Sequence, residues 1–251
     1  MAFMDISLKI NSFTSDSGKD IVAITTDQMR EVDRVAMEIT GPNIFQMMEN
    51  AGRNLASLTI EKLGGGWREA RIMILAGTGG KGGGGICAAR HLANRGANVR
   101  LCLSDEENLG EVPSFQRRIY KYAGGIEISI EELETEKPDL IVDALIGYSL
   151  RSAPAGNVQK MIGWANLQNS PKLSLDIPSG VDSTTGETPG EFIKADWTMT
   201  LAVPKTGLLP SLTGELYLAD IGIPAETYRS LDIPYQTPFD ERYYVPIGIK
   251  N

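Results

Sequence analysis

Four side chains and one loop in this sequence are of the types, and at the spacings, that acid–base chemistry on an anionic substrate needs. The loop is Ala76-Gly77-Thr78-Gly79-Gly80-Lys81-Gly82-Gly83-Gly84-Gly85, with seven glycines in ten positions. Glycine lets the backbone turn through positive φ and lets a ligand approach the main chain. Where such a loop opens a helix, free amides and the helix dipole favour an anion such as phosphate. The loop is not a P-loop, because Gly82 rather than Ser or Thr follows Lys81. It is also not a dinucleotide fingerprint, because the strand ending at Leu103 is not closed by an acid and Asp105 comes late. A glycine-rich strand-to-helix turn without a ligand is the alternative reading.

Asp143 ends the apolar run IVD, and Asp176 ends the run LSLD with Ser179 just beyond. A carboxylate at the end of a buried strand is costly unless it is paired, capped or used. For Asp176 the competing role is a cap on the turn at Pro178. Lys205 follows the run WTMTLAV and points to the same rim; otherwise it is a solvated surface lysine. Two carboxylates, a hydroxyl, a lysine and an anion-binding loop on one rim suit acid–base work on a phosphorylated substrate.

The elements that must position these groups are legible as alternating patterns. Thr25 and Gln28 have the spacing of a capping box. Met29, Val32, Val35, Ala36 and Ile39 follow at helical spacing until Gly41-Pro42. A second helix is predicted over Ile44 to Leu63, before three glycines. Strands are predicted at 71–76, 99–103, 140–145, 173–177, 197–203 and 216–221, with helices at about 86–94, 114–123 and 158–166 between them. Strands alternating with helices imply right-handed βαβ crossovers onto one sheet. The expected fold is therefore α/β, a doubly wound and mostly parallel sheet in a Rossmann-like three-layer αβα arrangement, with two N-terminal helices. Open sheets of this kind place ligands at the carboxyl ends of their strands. One domain is expected over 1–251, with its core at about 24–224, a flexible N-terminal arm over 1–22 and a C-terminal tail over 236–251. The arm reads either as loosely attached or as a strand pairing elsewhere.

Composition narrows the partners. The chain has 251 residues, 42% hydrophobic and 22% charged, with a formal net charge of −8. That balance disfavours nucleic acid or an anionic membrane as the main partner, because both need clustered Lys and Arg. No stretch approaches the roughly 20 apolar residues of a membrane span, and the opening MAFMDISLKINSF reads as no secretory leader. A cytoplasmic location is expected. The two cysteines, Cys87 and Cys102, lie in apolar patterns and read as buried thiols. His91 is the sole histidine and reads as a packing or surface residue.

With these motifs in hand, the chain resembles the YjeF N-terminal domain family, the NAD(P)H-hydrate epimerases, from about Ile24 to Pro224. The matching segments are QMREVDR, MMENAGR, the glycine loop, VDALIG, DIPSGVDSTTGE, KADWTMTLAVPKTGLL and ADIGIP. The resemblance implies an isomerase of metabolite repair that interconverts the R and S forms of hydrated NADH or NADPH, without a redox cofactor. It implies a separate NAD(P)HX dehydratase in the same pathway, and a homodimer is expected. It implies that Asp176 is catalytic and contacts substrate, and that Asp143 and Ser179 bind a potassium ion. Gly79, Gly80, Lys81, Gly82, Gly83, Gly84, Gly147, Tyr148, Ser149 and Lys205 are the expected substrate- or phosphate-binding residues. The two loop asparagines of the family fall on Gly80 and Lys81, and its loop aspartate on Gly84. A lysine ammonium carries the charge of potassium, so Lys81 is read as standing in the ion's position between Asp143 and Ser179; the alternative is a lysine that arose after the ion site lost its use. The alternative function is a nucleotide- or nucleoside-binding module of the same fold that has lost turnover.

Overall fold

The computed structural model describes residues 12–250. Its centre is a set of short apolar strands whose side chains are buried on both faces, which requires covering layers above and below. The elements run β1 (Ser12–Ser15), β2 (Asp20–Val22), α1 (Thr26–Val35), α2 (Ile44–Leu63), β3 (Ile72–Ala76), α3 (Gly80–Ala93), β4 (Val99–Leu103), α4 (Glu111–Tyr122), β5 (Ile126–Ile128) and β6 (Leu140–Ala144). They continue through α5 (Gly156–Leu167), β7 (Lys172–Leu175), β8 (Trp197–Leu201), α6 (Pro210–Thr213), β9 (Glu215–Ala219), α7 (Ala225–Arg229) and β10 (Tyr244–Ile249).

All ten strands form one sheet, in the order β2-β1-β10-β9-β8-β7-β6-β3-β4-β5. The seven strands from β3 to β9 pair in parallel. The order reverses between β3 and β6, so the chain leaves the centre first toward β5 and then toward β9. That switch point opens a crevice beyond the strand ends, where open sheets hold ligands. Ile72, Ile74 and Val142 face a core shared with α1, α2 and α3, while Met73, Leu75 and Ile141 face the other side with Met161 and Ile162 of α5. The strands thus alternate between two buried layers, as a doubly wound sheet requires.

Both ends of the described chain join this sheet. β10 pairs antiparallel with β9, β1 with β10, and β2 with β1. Of the two readings of the arm, the pairing strand is the one observed over residues 12–22, which form a hairpin anchored by the fully buried Phe13. Its polar Ser-Asp-Ser-Gly-Lys-Asp stretch is the hairpin turn, with Gly18 at φ 80°. The part of that arm over 1–11 lies outside the described residues. The tail likewise contributes a strand, with Val245 and Ile247 inward.

The N-terminal helices follow the sequence closely. Thr25 caps α1 and Asn43 caps α2, each in a reciprocal capping box with a glutamine three residues on. After Val35 the helix widens into one turn in which Gly41 N donates to Ala36 O at 2.8 Å. The extra residue per turn rotates Ile39 out of the expected apolar face, and it is 68% exposed.

The larger difference is at α3, which begins at Gly80, six residues before the expected start. The glycines over 82–85 are helix, and they are there for close packing. A Cβ on Gly82 would fall 1.9 Å from Gly77 O, and one on Gly85 would fall 2.3 Å from Ala144 Cβ. The first turns of α3 therefore lie directly against the sheet and the β3 turn, closer than any side chain allows.

Candidate active site

Asp143 is the last polar residue of β6 and has no exposed surface. The register sets it between Leu75 of β3 and Ser174 of β7. Its Oδ2 accepts from Ser174 Oγ at 2.8 Å and from Ser179 N at 2.8 Å, and its Oδ1 accepts from Ser179 Oγ at 2.5 Å and Leu145 N at 3.1 Å. The remaining partner is Lys81. Its Nζ lies 3.0 Å from Asp143 Oδ2, 2.8 Å from Ser179 Oγ, 3.0 Å from Ile146 O and 2.7 Å from Ile177 O. Four oxygens thus share three N–H donors, and the lysine side chain is 4% exposed. Burial draws the ammonium below the usual lysine range, and the Asp143 carboxylate pulls it back. A bare carboxylate would be very costly here, and the ammonium supplies the opposite charge it needs.

Asp176 follows β7 in the left-handed region, at φ 65°, a conformation aspartate tolerates better than most residues. Its N donates to Met199 O at 2.6 Å, which fixes the turn. Its carboxylate does not serve as a cap at Pro178. Oδ1 accepts from Lys205 Nζ at 2.7 Å, and Lys205 also donates to Leu201 O at 2.9 Å. Lys205 is 1% exposed, so the solvated-lysine alternative does not hold. The bridge between Ile24 and Lys205 ties the approach to α1 onto the same rim.

Above these pairs lies a cleft of about 380 Å³, within the range of about 300–1,000 Å³ occupied by small-molecule sites. One wall is apolar, from Met29 of α1 and Ile44, Met47 and Met48 of α2. The other is polar, from the turn 77–81, the loop 145–149, Asp176 and Lys205. Gly79, Gly80, Lys81, Gly147, Tyr148, Ser149, Asp176 and Lys205 therefore meet in one cavity.

Asp143 and Ser179 do not line the cleft; they hold the Lys81 head beneath its floor. Gly82, Gly83 and Gly84, expected as phosphate-binding residues, do not line it either. Gly83 N already donates to Gly79 O at 3.0 Å, and a Cβ on Gly84 would fall 2.8 Å from Leu175 Cδ2. The open amides of the helix start are those near Gly79 and Gly80, both exposed.

The sequence reading missed Asp33. It lies on α1 four residues after Met29 and lines the cleft, where it accepts a 2.5 Å hydrogen bond from Tyr148. Burial raises its carboxyl above the ordinary range. The signal was available as an acid at the edge of the apolar face of an amphipathic helix, inside the segment QMREVDR.

The remaining titratable groups form supports. His91, Arg90 and Cys87 of α3 gather around Glu49 of α2, with His91 Nε2 2.9 Å from Glu49 Oε1 and the Arg90 guanidinium 3.2 Å from Cys87 Sγ. That guanidinium already supplies the positive charge among these groups, so the cluster fastens α2 to α3. Burial pushes the Cys87 and Cys102 thiols each up to about 12, so both are inert near neutral pH. Among the described residues no helix is long and apolar enough to cross a membrane.

Comparison with known proteins adds a family to this geometry. Residues 44–207 match the family model described as YjeF-related protein N-terminus. The chain is 51% identical over 93% of its length to a protein of Dehalogenimonas lykanthroporepellens named NAD(P)H-hydrate epimerase, covering 96% of that protein. A protein of the same name from Rhodopirellula baltica is 35% identical, with 84% of this chain and 88% of the relative covered. The Hyperthermus butylicus protein named bifunctional NAD(P)H-hydrate repair enzyme Nnr is also 35% identical over 81% of this chain, which spans 39% of its length. The crystal structure of yeast YNL200c superposes with a TM-score of 0.75 over 89% of this chain and 99% of that one, at 22% identity, which supports the fold. The motif-bearing strand ends, the switch-point crevice and these relatives agree, and the chain belongs to the YjeF-related N-terminal domain family.

Proposed function

We propose that this protein is an NAD(P)H-hydrate epimerase that interconverts the R and S forms of hydrated NADH and NADPH. The observation that carries the reading is the cleft itself. A buried Asp176–Lys205 pair faces an apolar methionine wall, and exposed backbone at Gly79 and Gly80 lies at one end. A flat reduced ring suits the apolar wall, and a pyrophosphate suits the helix start. In this reading Asp176 takes or gives the proton on the oxygen at the epimerised carbon, with Lys205 fixing its orientation. Gly147, Tyr148 and Ser149 border the substrate.

Epimerisation leaves the oxidation state unchanged, so no redox cofactor enters the reaction. A potassium ion does not fit beside Asp143 and Ser179 as they stand, because the Lys81 ammonium already lies among their oxygens. In this reading Lys81 is the fixed cation that orders the floor of the cleft, and the reaction is indifferent to potassium. The S product passes to a separate dehydratase. Location in the cytoplasm and assembly as a homodimer through the N-terminal helices, where Met37 and Ile39 are exposed, complete the proposal. Light scattering tests the dimer.

The binding-module alternative draws on one observation, the glycine that stands where the family places its loop aspartate. Gly84 is buried against Leu175 and does not line the cleft, so its identity bears on packing. The test is interconversion of resolved R and S hydrates by the purified protein, with Asp176→Asn as control.

A further inference from the structure

Epimerising a carbon that bears both a hydroxyl and a ring nitrogen needs two proton transfers. The hydroxyl leaves as water after accepting a proton, while the nitrogen lone pair forms the C=N bond. Water then adds to the other face of the ring and gives up a proton, restoring the carbon with inverted configuration. One water leaves and one enters, with no oxidant or reductant. A single carboxylate serves one face of a flat ring; the other face needs a group of its own.

The cleft contains one such group that the Asp176–Lys205 pair leaves unused. Asp33 projects from α1, a different wall from the β7 end that carries Asp176, and Tyr148 O–H donates to Asp33 Oδ2 at 2.5 Å. Its helix is fixed at its start by Thr26, whose N donates to Thr184 Oγ1 at 2.9 Å, so the wall is tied to the loop after the DIPSG segment. We propose that Asp33, oriented by Tyr148, is the second acid–base group of this cavity and exchanges a proton on the ring face that Asp176 does not serve. The inference rests on the epimerase reading.

Several charged groups face this carboxyl. Lys205 and Asp176 come from the strand ends, Arg30 acts on the Tyr148 phenol from α1, and Tyr228 of α7 lies behind. Burial raises the Asp33 carboxyl, while the Tyr148 hydrogen bond and the Lys205 charge lower it. Asp33 is thus suited to hold a proton in the folded protein. Asp33 and Asp176 exchange roles between the R-to-S and S-to-R directions. Because the epimers differ by no net proton, both directions share one pH profile of kcat/KM, whose basic limb is the loss of the one proton the pair shares.

The test is the pH profile of epimer interconversion for wild type, Asp33→Asn and Tyr148→Phe, with hydrate affinity measured by calorimetry. Expected for Asp33→Asn is a fall in kcat of about 100-fold or more at unchanged affinity, with the basic limb abolished. Tyr148→Phe removes a bond that favours the ionised carboxyl, so its basic limb moves to higher pH while turnover persists. Wild-type turnover with Asp33→Asn within threefold of it, or an unmoved limb in Tyr148→Phe, overturns the assignment. Absence of turnover in wild type rejects the epimerase reading instead. If Asp33→Asn fails to fold, Tyr148→Phe decides alone.

Discussion

Lys81 Nζ sits 3.0 Å from Asp143 Oδ2 beneath the cleft, so a cation carried on the first turn of α3 neutralises a carboxylate at the end of β6. The two are 62 positions apart in sequence and meet because the sheet order reverses between β3 and β6. This pair joins the two halves of the fold at the crevice where the candidate site lies.

Removing the ammonium should therefore be expensive. Lys81→Met leaves Asp143 buried without its cation, and breaking such a pair from one side costs about 3–5 kcal/mol. Lys81→Ala leaves room instead for a free ion among the same oxygens. Potassium should raise the melting temperature of Lys81→Ala above that in choline chloride, by up to about 2.7 kcal/mol of stabilisation at a hundred times the dissociation constant. Wild type should show no potassium-specific shift. Equal potassium responses in the two proteins would remove Lys81 from the cation position.

The glycine run makes a separate prediction. Gly85→Ala puts a methyl 2.3 Å from Ala144 Cβ, with no flexible side chain to move aside. Overpacking of this kind costs about 1–3 kcal/mol. Urea denaturation should register the loss at an unchanged m-value, and a neutral result would mean that α3 can lift from the sheet.

Asp176 is predicted to separate activity from folding. Asp176→Asn retains a residue type that tolerates φ 65° and keeps an oxygen for Lys205. Turnover should fall by about 100-fold or more, with far-UV circular dichroism unchanged. Activity near wild type would exclude it as an acid–base group.

Asp33 also makes stability depend on pH. Its folded carboxyl is raised above the ordinary value of 3.8, so over that interval the folded chain holds a proton the unfolded chain has released. The stability it contributes is fully present below 3.8 and is lost as pH rises through the folded value. The stability of wild type relative to Asp33→Asn should fall across that window, measured by chemical denaturation at a series of pH values. A difference that grows with pH would contradict the assigned direction.

Much of this was legible in the sequence, for physical reasons that differ by element. Ile72–Ala76 and Leu140–Ala144 are apolar runs because parallel strands here are covered on both faces, and that signal needs no context. Asp143, Asp176 and Lys205 stood out because charges at the ends of such runs must be satisfied. The start of α3 was not legible, since a glycine run says close approach without saying to what; the approach is to the sheet, and only Gly79 and Gly80 remain open. β10 was not legible as a sheet strand, because Pro246 and Gly248 interrupt its apolar alternation, and β1 was legible only as one of two readings of the arm, because four residues carry little pattern. Asp33 carried only a weak signal: an acid at the edge of an apolar helix face reads as solvated until the tertiary fold places Tyr148 over it.

Chiral chromatography of purified R-NADHX incubated with the protein, in sodium and in potassium buffer, tests the epimerase reading and the Lys81 cation together. Rapid approach to the epimer equilibrium at equal rates in both salts is expected, slowed by about 100-fold or more in Asp176→Asn. No acceleration over the uncatalysed rate in either salt would contradict the epimerase reading.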